Sequence, residues 1–76
     1  MKTIKKFERA ILLKNFPKSG LVKGDVGTIV EIYNSGEGYE VEFFAMDGST
    51  IAVKTLRSTD IRSVSKKEIL HSRELA

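Results

Sequence analysis

The sequence has no cysteine, one histidine, one proline and no apolar run approaching the roughly 18 residues of a membrane span. Without thiols there are no disulfide staples and no thiolate metal sites, so a chain of 76 residues has to hold itself together by packing alone. At this length one domain is expected, burying roughly 60–65% of the surface its unfolded form exposes, with one small core and room for one site. The start, Met1-Lys2-Thr3-Ile4-Lys5-Lys6, leads into no uninterrupted signal-type segment, so the expected location is cytoplasmic, away from membranes. His71 stands in a polar tail with no second ligand in view, which sets aside metal binding and base catalysis. Serines and threonines abound but none has a local base to activate it. The chain is therefore read as a non-enzyme that needs no metal or cofactor.

What is present is ordinary for a folded protein: 41% hydrophobic and 30% charged residues. The formal charge of +3 invites a nucleic-acid reading, and its distribution weakens that reading. Lys2, Lys5, Lys6 and Arg9 against Glu8 give residues 1–9 a net +3, residues 65–76 carry +1, and residues 10–64 carry −1. The basic character belongs to the ends, and nucleic acid is a disfavoured partner.

Three regions follow: a basic N-terminal arm at 1–8, a barrel at 9–64 and a C-terminal tail at 65–76. In the barrel, Ala10-Ile11-Leu12-Leu13 reads as a strand that Phe16-Pro17 ends, since proline donates nothing to a ladder and biases the residue before it. The central signal is Gly24-Asp25-Val26-Gly27-Thr28-Ile29-Val30-Glu31-Ile32-Tyr33, answered after Asn34-Ser35-Gly36-Glu37-Gly38 by Tyr39-Glu40-Val41-Glu42-Phe43-Phe44. Pairing Ile32 with Tyr39, Val30 with Val41 and Thr28 with Phe43 buries the most. That register sets Ile29, Tyr33 and Phe44 on the opposite face among Glu31, Glu40 and Glu42. A three-residue loop, Met46-Asp47-Gly48, with Gly48 left-handed, pairs Phe43 with Ile51, Val41 with Val53 and Glu40 with Lys54 in a fourth strand, Ser49 to Leu56. Arg57 to Asp60 reads as one helical turn, Ile61 to Val64 as a short last strand, and Ser65-Lys66-Lys67-Glu68 has the spacing of a capping box opening a short helix.

Five short strands with one tight helical turn before the last predict an all-β fold, a small five-stranded SH3-like barrel with a short C-terminal helix. The blocks Ala10-Ile11-Leu12-Leu13, Gly20-Leu21, Gly24-Asp25-Val26-Gly27-Thr28, Val30-Glu31, Tyr39-Glu40-Val41-Glu42-Phe43 and Thr55-Leu56 resemble a small bacterial domain-of-unknown-function family, the 4926 type, over about Phe7 to Val64. That resemblance implies the SH3-like fold and no established activity. More loosely, Gly24-Asp25-Val26-Gly27-Thr28-Ile29-Val30 is similar to the KOW motif of ribosomal proteins and elongation factors, over about a dozen residues. KOW hairpins that meet RNA bring basic side chains, whereas here Glu31, Glu37, Glu40 and Glu42 stand there.

Gly24 and Gly27 bracket Asp25 without a following helix or a phosphate-binding Lys-Ser/Thr pair, so Gly24, Asp25, Gly27, Gly36, Gly38 and Gly48 are read as turn and close-approach positions, with Asp25 bonding turn amides. The candidate partner-binding residues are Ile29, Tyr33 and Phe44 with Glu31, Glu40 and Glu42. Cover by Phe7, Ile69 or Leu70 is the competing role for that apolar face. The function expected first is a non-catalytic module binding another protein, regulatory or antitoxin-like. Two alternatives differ in class: an RNA- or ribosome-associated module working through Lys2, Lys5, Lys6 and Arg9 with Lys66 and Lys67, and an accessory subunit or domain of a larger enzyme.

Overall fold

The computed structural model describes residues 4–75. Five strands form one antiparallel sheet: β1 (Arg9–Leu12), β2 (Val26–Tyr33), β3 (Gly38–Phe44), β4 (Thr50–Arg57) and β5 (Ile61–Ser63). Their order is β4-β3-β2-β1-β5, so β4 and β5 are the two edges and no ladder between them closes the sheet. Single 3₁₀ turns at Pro17–Ser19 and Ser58–Asp60 mark the loop after β1 and the entry to β5. No helix among the described residues is long and apolar enough to cross a membrane.

Two parities collide in β2. The β1 pairing sets Ala10 opposite Gly27 with both buried, so alternation makes Ile29 an inward residue. At the other end the hairpin sets Ile32 opposite Tyr39, which makes the even-numbered positions inward. A β-bulge at Val30 reconciles them: Glu31 faces Glu40, but one step further Ile29 faces Val41 and Thr28 faces Glu42. The expected pairs Val30 with Val41 and Thr28 with Phe43 are therefore not formed. Ile29 is corrected from the outer face to the centre of the core, where its exposure is zero.

A second bulge reverses β4. The loop is the three-residue one, with Ala45 and Ser49 bonded across it (Ala45 N to Ser49 O, 2.8 Å) and Gly48 at φ +88°. Phe44 faces Thr50, and then Ile51 is the extra residue, so that Phe43 faces Ala52, Glu42 faces Val53, Val41 faces Lys54 and Glu40 faces Thr55. Val53, expected inside opposite Val41, is turned outward, and Thr55 with it. Lys54 is turned inward and places its ammonium 5.0 Å from the centre of the Phe16 ring, the amphipathic stem covering apolar surface while the charge finds an aromatic face.

The core is Ala10, Leu12, Leu21, Ile29, Tyr39, Val41, Phe43, Leu56 and Ile61, joined by Ile4 from ahead of the sheet. Ile4 gets there through a turn in which the Glu8 amide bonds the Lys5 carbonyl (3.1 Å) and the Glu8 carboxylate accepts the Lys5 amide (2.7 Å). Phe7 and Glu8 then bond Ile29 (Phe7 N to Ile29 O, 2.7 Å; Ile29 N to Glu8 O, 2.9 Å), tying this segment to β2. Gly27 is required by contact: a Cβ there would lie 2.5 Å from Val41 Cγ1 and 2.9 Å from Phe43 Cε1.

The C-terminal helix is not formed over the described residues. Ser65 and Glu68 do make the capping contacts, with the Ser65 amide bonded to Glu68 Oε2 (2.6 Å) and the Lys67 amide to Ser65 Oγ (3.2 Å), and the structure stops after that one turn. Ile69 and Leu70, 95% and 77% exposed, offer no buried stripe to repay helix nucleation.

Candidate functional site

The outer face of β2–β3–β4 is built in cross-strand rows. Tyr33, Gly38 and Arg57 form one, Glu31, Glu40 and Thr55 the next, and Thr28, Glu42 and Val53 the third, with Phe44 and Thr50 beyond. The two bulges bring Val53, Thr55 and Thr28 to this face, and nothing in the alternation of Ile51-Ala52-Val53 distinguishes that outcome from its reverse. Gly38 leaves a gap that Tyr33 fills, its ring 3.7 Å from where a Cβ would stand.

Two of the three carboxylates, Glu40 and Glu42, are held by hydroxyls. Thr55 Oγ1 donates to Glu40 Oε1 and Thr50 Oγ1 to Glu42 Oε2 (2.7 Å), while Tyr33 OH reaches Glu40 Oε2 at 3.4 Å. Desolvation, together with the charge of Glu40 and of Glu31, pushes the Tyr33 phenol above its ordinary pKa. Glu31 and Glu40 face each other directly, and the nearest cation, Lys6 Nζ, is 4.0 Å from Glu31. Tyr33 and Phe44 remain exposed (40% and 47%), at opposite ends of the face and about 20 Å apart along the strands. Neither Phe7 nor the tail takes them into the core, and Val53, 53% exposed, is the apolar side chain between them.

The arrangement has no acid/base couple, because the three glutamates lie on an open face. Glu31 has no hydroxyl partner and accepts the Ile32 amide at 3.2 Å instead. Among the described residues no group of three or more His, Cys, Asp or Glu side chains converges to hold a metal ion.

The glycines of the turns divide into two kinds. Gly24, Gly36 and Gly48 take positive φ (+96°, +111° and +88°), whereas Gly27 and Gly38 lie in strands. Asp25 accepts the Val22 amide (2.9 Å), as a turn residue does, and also the guanidinium of Arg73 (2.7 and 2.8 Å), a partner 48 residues away that no local pattern announces. Burial raises the Asp25 carboxyl, and the bonds from Arg73 and Val22 more than offset that, leaving it below the usual carboxylate value. Asp60 is a second polar anchor that local spacing does not reveal, buried at the entry to β5. The Lys6 ammonium lies between Glu31 (4.0 Å) and the Phe7 ring (5.4 Å), and Lys2 lies outside the described residues.

The model of one family, Domain of unknown function (DUF4926), matches residues 6–63. No curated protein and no solved structure matches the chain. The matched span holds all five strands, both bulges and the glutamate face, and it stops where β5 ends; the chain belongs to the family described as Domain of unknown function (DUF4926).

Proposed function

We propose that the protein is a non-catalytic binding module whose partner is another protein, in a regulatory or antitoxin-like role, and that its sheet is curled in the manner of an SH3-like barrel. The strand order, the 3₁₀ turn before β5 and the approach of Lys54 on β4 to Phe16 beyond β1 support that curvature. The observation that carries the binding role is the outward face itself. Glu31, Glu40 and Glu42 stand in adjoining rows with Tyr33, Val53 and Phe44 exposed among them, an apolar and acidic surface without a catalytic set. Aromatic anchors beside desolvatable carboxylates suit a partner that brings apolar and basic side chains.

The test is capture from the source cell on immobilised wild-type chain and on a Glu40→Lys/Glu42→Lys/Val53→Ser variant that retains the native circular dichroism. A protein held at near-stoichiometric level by the wild type and released by the variant supports the reading. Capture that ignores the variant, or no specific capture at all, overturns it.

A further inference from the structure

Away from the glutamate face, at the entry to β2, Asp25 and the Gly20 carbonyl form a cup that a guanidinium fills. Arg73 Nε donates to Asp25 Oδ1 at 2.8 Å, and its Nη2 donates both to Asp25 Oδ2 at 2.7 Å and to the Gly20 carbonyl at 2.8 Å. Three donors on one rigid plane match two oxygens of a carboxylate and one of the backbone, a geometry a lysine ammonium cannot reproduce. The carboxylate is fixed independently of the guanidinium by the Val22 amide at 2.9 Å, and with Arg73 seated its side chain is 16% exposed. Gly20 and Gly24 flank it at φ +71° and +96°, with open space where their side chains would be.

The segment that delivers Arg73 is held by polar contacts. Its other tie is the Arg62–Glu68 pair (2.7 and 2.8 Å), whereas Ile69, Leu70 and Leu75 are 95%, 77% and 50% exposed. A shallow groove of about 140 Å³ runs beside the cup on the outer side of β1 and β2, lined by Ile11, Val26 and Val64 beside Arg9 and Arg62, with Ile69 and Leu70 of the tail at its wall. The cup and the Ile11 and Val26 side of the groove lie inside the family-matched span, and the occupant lies outside it. The tail adds little apolar burial to these polar contacts, so a second arginine-bearing segment can compete with it for the cup.

We propose that Asp25 and the Gly20 carbonyl are an arginine-recognition site for an extended, arginine-bearing protein segment, and that the C-terminal tail is an intramolecular occupant which such a segment displaces. The site needs one planar guanidinium in the cup and an extended chain lying over Ile11 and Val26 where the tail now lies, and it is independent of the glutamate face.

The probe is a fluorescent peptide of residues 65–76, titrated by anisotropy against the full chain and its Arg73→Ala variant. The variant, its cup vacated, is expected to bind the peptide at least about tenfold more tightly than the wild type, the equivalent of one charge-assisted bidentate contact. The same peptide carrying Arg73→Lys is expected to lose about tenfold on the variant, a comparison made entirely in the peptide and so unaffected by folding of the chain. Equal affinity of wild type and variant would show that the tail does not occupy the site. Equal affinity for the arginine and lysine peptides would reduce the contact to unspecific charge attraction. Either result overturns the proposal.

Discussion

The Nζ of Lys14 stands 2.8 Å from Oδ1 of Asp60, the one buried charged side chain among the described residues. The pair joins the end of β1 to the 3₁₀ turn before β5, and the backbone repeats the link, the Leu13 amide donating to the Asp60 carbonyl at 2.8 Å. Asp60 Oδ2 accepts the Arg57 amide at 3.0 Å. Replacing Lys14 by methionine keeps the stem and leaves the buried carboxylate with one longer ion pair, to the exposed Arg57 Nε at 3.7 Å. Because Lys14 is itself half exposed, the cost falls below that of a fully buried pair, and about 1–3 kcal/mol is expected in urea unfolding at neutral pH. An unchanged midpoint would mean that Asp60 is satisfied without the lysine.

The carboxyls give stability a definite acid limb. Burial pushes the Asp60 carboxyl up, but the Lys14 ammonium and the Arg57 amide bring it below its ordinary 3.8, as Arg73 and Val22 do for Asp25. Glu68 is lowered to about 2 by Arg62 and the Ser65 amide. The unfolded chain therefore binds more protons in this window, and stability rises with pH through it. It should level off only well above 4.5, the ordinary value of an unfolded glutamate, and fall as pH drops through 4.5 and 3.8 toward the lower folded values. Thermal melts from pH 7 to pH 2 would show the limb, and Lys14→Met should flatten the Asp60 part of it. A melting temperature that climbs on acidification would contradict the signs.

Gly27→Ala tests the closest approach in the sheet. Its Cβ would meet Val41 and Phe43 at 2.5 and 2.9 Å, and both neighbours are themselves buried, so a loss of about 1–3 kcal/mol is expected from overpacking. Gly24→Ala meets no atom within 4 Å but must hold φ +96°, and a cost of about 1–2 kcal/mol comes from backbone strain instead. Replacing Gly24 by asparagine should recover part of that loss. The same replacement at Gly27 should recover nothing, and chemical denaturation of the four variants separates the two origins.

Glu31 and Glu40 are opposed across β2 and β3, and like charges so placed cost stability. Glu31→Gln is expected to stabilise by about 0.2–1 kcal/mol while weakening capture of the protein partner, a divergence that a purely structural glutamate would not produce. Calorimetry of the free chain alongside the capture assay reads both.

The bulge at Val30 predicts unequal neighbours. Ile29→Ala, at zero exposure against Val41, should cost about 2–5 kcal/mol, and Val30→Ala, half buried, under about 1.5 kcal/mol. Reversed magnitudes would restore the unbulged register.

The five strands, the two hairpin loops and the left-handed Gly48 were legible because each is signalled within a few residues. Ile32 opposite Tyr39 follows from the turn that joins them. Further from the turns the reading fails at Val30 and Ile51, where two apolar neighbours compete for one inward position and only the opposite end of the strand decides between them. Hence Ile29 moved to the core while Glu31, Glu40 and Glu42 kept one side. The arginine cup was half legible: Asp25 stood out as a turn former, but its link to Arg73 spans 48 residues without periodicity. The C-terminal helix failed for a different reason, since its capping signal is real and the apolar face that would sustain a helix is missing.

The bulges also set where the chain tolerates a change of length. Losing one residue from a strand ordinarily turns everything beyond it to the wrong side. Without Val30, inward Ile29 would be followed by outward Glu31, and without Ile51, outward Thr50 would be followed by inward Ala52, which is unbroken alternation in both cases. At these two positions a strand of this sheet could shorten by a residue while its core and its glutamate face each keep their own side chains.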